Sequence, residues 1–291
     1  MRARVRTILV IGMMLALTAC ATQGAVLSTG VGAIRTSATA ANAETETVFG
    51  EINAAHRDDV IALLLAQRAR PSEAAFAPAI APETAGRWAA AFDGVDNYLA
   101  ALQDLVDPKR STAVTDNLKG VGEALQSPTF GAKIPPEAVS LFASFGGAIV
   151  QAAAEGKALA IMRRTDPEFR ALMTGLAGLV GEPGATSRPG TLRAMVDDHW
   201  AGLLSGVETA FVGVANGTED ERKPLLVSYG TLIDERQAYR ERLARLRTAL
   251  LAMAEAHSEA AKGSAGGTFY WIEQINGYFQ KAREDAKGGE G

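Results

Sequence analysis

Ten side chains succeed one another at alternating spacings of four and three residues: Leu225, Tyr229, Leu232, Arg236, Tyr239, Leu243, Leu246, Leu250, Met253 and His257. Only an α-helix brings such positions onto one line, because residues three and four apart share a helix face. Thr218 followed by Glu221 is a capping-box pattern at the start, and a glycine-serine stretch over 263–267 follows the end. The spacing predicts one helix over about 218–261, the longest in the chain, with Pro224 delaying its effective start. Its other faces carry Glu235, Arg240, Glu241, Arg242, Arg245 and Arg247. A heptad seam needs facing helices. They come either from the same chain, in an antiparallel bundle, or from a partner, in a coiled-coil arm. Short connectors elsewhere favour the bundle.

The same reading extends to both sides of the seam. A stripe of Phe49, Ile52, His56, Val60, Leu63 and Gln67 predicts a first helix over 44–70, ended by Pro71, Pro78 and Pro82. Pro82 and Glu83 restart a helix whose face carries Trp88, Phe92, Val95, Leu99, Leu102 and Val106. A shorter helix is expected over 111–126, with Gly120 and Gly122 allowing another helix to approach. Pro135 and Pro136 open a helix expected to run to about 164. Its residues 138–154 carry no charge, which suits either a helix buried in the middle of a bundle or one inserted in a membrane. Asp166, Pro167 and Glu168 read as the cap of the next helix. Residues 192–214 and 268–286 complete the set, and the last of these is the most aromatic stretch of the chain.

Apolar residues make up 47% of the chain and aromatics only 6%, so alanine, the strongest helix former, supplies much of the apolar content. Strand-type alternation is absent. The expected fold is all-α, an antiparallel helical bundle of seven or eight helices forming one domain over 43–286, with a disordered tail over 287–291.

At the N-terminus, Arg2, Arg4 and Arg6 precede an apolar run of about a dozen residues, the layout of a secretory signal. The run is too short for a permanent span, which takes about 20 residues. It ends in Leu17, Thr18, Ala19 and Cys20, which resemble the lipobox of bacterial lipoproteins. The resemblance implies a signal peptide over 1–19, cleavage before Cys20, a diacylglyceryl group on its thiol and acylation of the new amine. Two or three acyl chains hold a protein firmly, because each buried CH2 contributes about 0.8 kcal/mol. Ala21, in place of Asp, implies the outer membrane, facing the periplasm. Residues 20–42 are small and polar, with Arg35 as the one charge before residue 43, and read as a flexible tether. A weakly periodic alternative exists, a loosely packed first helix through Val26, Leu27, Val31 and Ile34.

Cys20 is the only cysteine, so no disulfide closes within the chain. Without the three signal arginines, 26 of the 29 basic residues remain against 33 acidic ones, a net charge of −7. That balance argues against nucleic acid, whose recognition needs clustered basic surface. Catalytic patterns are missing. The three histidines, His56, His199 and His257, lack the Glu-x-x-His spacing of di-iron bundles, and no nucleophile elbow or phosphate-binding glycine loop occurs. His199 beside Asp198 is the first place where an enzyme would be sought, while His56 and His257 read as satisfied core histidines. The expectation is a non-enzymatic interaction or scaffold module without metal or cofactor. It would be held to the membrane through acyl chains on Cys20 and would bind an envelope protein. The alternative is a helical bundle that binds a small molecule or lipid.

Overall fold

In the computed structural model the backbone is described for residues 2–106, 114–184 and 188–288, and side chains for 27–106, 116–184 and 188–281. All regular structure among the described residues is helical. The helices are α1 (Arg2–Gln67), α2 (Pro82–Val106), α3 (Val114–Gln126), α4 (Pro128–Gly131), α5 (Val139–Ala152), α6 (Ala158–Val180), α7 (Leu192–Gly213), α8 (Glu219–Lys262) and α9 (Ala265–Gly288). Four-residue α4 brings the number to nine, one beyond the upper expectation. Of the expected tail, residues 287 and 288 belong to α9 and 289–291 lie outside the described residues.

Helix α8 is the centre of the bundle. It packs against α1, α6, α7 and α9. The sequence pointed to 135–164 for that place, but α5 lies to one side, between α3 and α6. The C-terminal part of the α8 seam, from Leu243 through Leu246, Leu250 and Met253 to His257, is buried, whereas Leu225, Tyr229, Arg236 and Tyr239 are only half-buried. All of this packing is within the chain. The Thr218 N–H donates to Glu221 Oε2 at 2.9 Å, closing the expected cap.

The flexible tether expected over 20–42 is corrected. These residues continue α1, and Val31, Ile34, Ala38, Ala41, Thr45, Val48 and Ile52 are all buried. Those seven positions alternate three and four apart, so they form a seam. Most of its members are small, which let it pass for a polar linker. The hydroxyls that suggested disorder fold back inside the helix: Thr36 donates to the Gly32 carbonyl, Ser37 to Ala33, Thr39 to Arg35 and Thr45 to Ala41. Residues 17–20 lie in the backbone of α1, and their side chains fall outside the described residues.

The expected helix over 135–164 is also corrected. It ends in a short 3-10 turn, and Gly156, at φ +64°, breaks the chain before α6 begins. A left-handed residue at that point favours glycine. Pro167, read as a cap, lies inside α6. It is exposed, so the Arg163 carbonyl that it leaves unbonded within the helix faces water. Among the described residues, 136–155 is the one helix long and apolar enough to cross a membrane. Its Phe142, Phe145, Ile149 and Ala152 are buried in the bundle.

Helix directions follow from cross-contacts. On α2, Asp96 accepts from Arg35 of α1 at 2.8 Å, and Asn53 of α1 bonds the backbone of Ile80, just ahead of α2, so these helices are antiparallel. Leu63 packs on Gly206, and His56 on His199, so α7 runs with α1. Arg242 of α8, 9% exposed, pairs with Glu44 at 2.9 Å and with Glu51, while Leu225 lies near Leu63, so α8 runs against α1. Gly30 touches Thr268 near the start of α9. One end of the bundle therefore gathers residues near 30 of α1, the end of α2 and the α8–α9 turn. The other gathers the ends of α1 and α7 with the start of α8.

Candidate functional site

Three helices bring unpaired chemistry together at the α1–α7–α8 junction. His56 of α1 and His199 of α7 meet edge to face, ring centroids 4.0 Å apart. Neither ring nitrogen of His56 has a hydrogen-bond partner of good geometry, although the backbone of Ala77 lies close enough to oppose the effect of burial, and Nε2 of His199 has none. His56 is 6% exposed, so water does not substitute freely. Burial lowers the pKa of both imidazoles, that of His199 to about 4 with the neighbouring His56 adding to the effect. Both rings are neutral near pH 7. The expected satisfied core histidine does not describe His56. Asp198 is exposed, and the neighbour that His199 meets is His56.

One turn along α1, Asp59 faces Glu235 of α8. Burial, then the charge and hydrogen bond of Glu235, push the Asp59 carboxyl up to about 7, so Asp59 is partly protonated near neutrality. Tyr239, one turn beyond Glu235, is pushed up to about 12 by burial and by these carboxylates. Its ring packs against Trp200, 5.2 Å between centroids, and Trp200 packs against His199 at 5.1 Å. Among the described residues no three His, Cys, Asp or Glu side chains converge to hold a metal ion. The arrangement can store and exchange protons, and it leaves buried polar atoms unsatisfied, which costs stability.

A second polar network is complete. Tyr98 of α2 lies 2.6 Å from Thr165 Oγ1 and 3.0 Å from His257 Nε2, and His257 Nδ1 lies 2.9 Å from Asp166 Oδ1. Ser258 donates to the same carboxylate, and Phe169 stacks on the His257 ring at 4.2 Å. A consistent assignment has Nδ1–H donating to Asp166 and Nε2 accepting from the Tyr98 hydroxyl. Burial lowers the His257 pKa despite the carboxylate. Burial pushes Asp166 up, but His257, Ser258 and Arg170 outweigh it and hold it below the usual range. The order of groups is that of an acid–imidazole–hydroxyl relay. Tyr98 and His257 are both wholly buried, so no substrate atom reaches the hydroxyl, and the network joins α2, α6 and α8.

The exposed apolar side chains are unevenly placed. Of eight large ones among the described residues, Ile61, Leu65, Val212, Leu226, Val227 and Ile233 lie toward the end formed by α1, α7 and α8, and Phe269 and Tyr270 lie at the opposite end. Two grooves open at the first end. One, of about 170 Å³, runs between α1, α7 and α8 over Asp59, Leu63, Val207, Leu225 and Leu232. The other, of about 340 Å³, lies between α7 and α8 over Phe211, Val212, Leu225, Leu226 and Tyr229. Asp59, which lines the first groove, is one turn along α1 from His56. Sequence reasoning missed this patch. Its one signal is the run Leu225, Leu226 and Val227, where the second and third residues fall off the seam.

No family model matches the chain, and neither the curated proteins nor the solved structures contain a match to it.

Proposed function

We propose that this chain is a lipid-anchored interaction module of the bacterial envelope, held by acyl chains on Cys20, that takes a protein partner at the end of its bundle remote from the anchor. The lipobox of Leu17, Thr18, Ala19 and Cys20 supports the anchor, and Ala21 supports the outer membrane with the domain in the periplasm. The observation that carries the binding reading is the exposed apolar end at Leu65, Val212, Leu226 and Val227. Water-exposed side chains of this size, gathered around two grooves, are typical of an interaction surface. Helix α1 runs unbroken from Cys20 to Leu65, 45 residues or about 68 Å at 1.5 Å each. A rigid helix of that length presents the apolar end to components well away from the lipid surface. One groove, at about 170 Å³, is below the about 300–1,000 Å³ of ligand sites and the other, at about 340 Å³, is at its lower edge, and each suits one or two anchoring side chains of a partner. The net negative charge gives no support to nucleic-acid binding, and neither histidine cluster offers an open site for catalysis.

The test is photo-crosslinking in living cells from positions 65, 212 and 226, with Glu123 on exposed α3 as the control position. The reading expects the same adduct from the three apolar positions, none from 123, and loss of the adduct in Leu226→Glu protein and in Cys20→Ser protein. Absence of any adduct from all three positions overturns it. A lipid or metabolite copurifying in stoichiometric amount would favour the carrier alternative.

A further inference from the structure

We propose that the opposite end of the bundle, at the α8–α9 turn, rests on the membrane surface with Phe269, Tyr270 and Trp271 in the lipid headgroup layer. This rests on the anchor at Cys20 proposed above. Trp271 packs partly against the core, but core packing does not account for Phe269 and Tyr270. The buried stripe of α9 runs Thr268, Ile272, Ile275 and Phe279, at spacings of four, three and four. Phe269 and Tyr270 fall off that stripe and are 37% and 54% exposed, and Trp271 is half-buried with its ring 5.2 Å from that of Tyr270.

Position decides which surface they meet. A Cβ on Gly30 would lie 3.2 Å from Thr268 Cγ2, so the first turn of α9 is held against α1 at residue 30. Cys20 is ten residues earlier on the same unbroken helix, about 15 Å away along its axis. With no flexible linker between them, the anchored helix brings this end to the lipid. An upright α1 holds the aromatics about 15 Å from Cys20, beyond a headgroup layer of roughly 5–8 Å, so the docking requires α1 to tilt toward the α9 side. Tyr and Trp favour that layer, where a ring can be half apolar and half wet. Cations belong there too. Lys262 is exposed at the end of α8, where Glu259 pairs with it at 2.6 Å, and Lys157 is exposed in the turn before α6. That turn projects beyond the end of α8, because Arg163, one turn into α6, bonds the Ala261 carbonyl at 2.9 Å.

The experiment uses full-length protein purified from cell envelopes and returned to vesicles of zwitterionic and anionic phospholipid carrying bromine near the headgroup. Trp88 and Trp200 are buried at 3% and 0% exposure, so subtracting the emission of a Trp271→Phe variant isolates Trp271. Intact mass on the same sample reports acylation. Expected is a loss of Trp271 emission of about twofold on brominated lipid, reduced in a Phe269→Ser, Tyr270→Ser double variant. Acylated protein with unquenched Trp271 overturns the docking and leaves the anchor. Quenched Trp271 without acyl mass keeps the docking and removes the anchor. Unquenched Trp271 without acyl mass removes both.

Discussion

His56 and His199 stand edge to face at 4.0 Å, across two helices, with three of their four ring nitrogens lacking a hydrogen bond of good geometry, though the Ala77 backbone lies near His56. The fold tolerates this only while both rings are neutral. Their folded-state pKa values lie below the ordinary 6.5, that of His199 at about 4. The unfolded chain therefore takes up protons first as pH falls. The stability tied to the neutral pair is full above pH 6.5 and is lost toward pH 4. His199→Leu removes that loss. Thermal melting should show the variant gaining on wild type between pH 7 and pH 5, by about 1–2 kcal/mol. A difference that stays constant with pH would show that the pair does not titrate as described.

Asp59 works in the opposite direction. Its folded pKa, raised from 3.8 to about 7 by burial and Glu235, means that the native state keeps a proton that the unfolded chain has released. Its cost grows as pH rises from 4 to 7 and is complete above that. Asp59→Asn keeps the shape and removes the titration. Denaturant melts should find it more stable than wild type at pH 8, by an amount on the order of 1 kcal/mol, with the gain fading by pH 4. A variant less stable at pH 8 would indicate a charged Asp59 with a partner that favours it.

The Tyr98 hydroxyl is the shared point of the second network. Tyr98→Phe leaves His257 Nε2 without its donor in a wholly buried place. The expected cost is about 1–3 kcal/mol, read as a lower denaturation midpoint with an unchanged helical spectrum. An unchanged midpoint would mean that water or a rotated Thr165 replaces the phenol.

What the sequence made legible follows from side-chain size. Helices α2, α7, α8 and α9 announce themselves because their stripes use Leu, Val, Phe and Trp. The first half of α1 hides an equally regular stripe in Ala38, Ala41 and Thr45, and small side chains carry little hydrophobic signal. The break at Gly156 was masked by Pro167, which looks the stronger breaker but sits where its freed carbonyl meets water. The His56–His199 pair joins positions 143 residues apart, and no local pattern relates them. The apolar end was visible only as Leu226 and Val227 beside the seam, each unremarkable until their neighbours are known to be solvent.

The glycines of α3 give a paired test of packing against backbone freedom. A Cβ on Gly122 would stand 2.7 Å from the Gly146 carbonyl oxygen of α5, and a Cβ on Gly146 would stand 2.5 Å from that of Gly122. The two backbones touch, and neither can move aside as a flexible side chain would. Gly120, two residues from Gly122 on the same helix, has nothing within 4 Å of where its Cβ would be. Gly146→Ala should therefore destabilise by about 1–3 kcal/mol through overpacking. Gly120→Ala should stabilise by up to about 1 kcal/mol, because alanine loses less freedom in a helix. Paired denaturant melts decide it. Opposite signs are the expected result, and two gains would mean that α3 and α5 stand farther apart than a glycine contact requires.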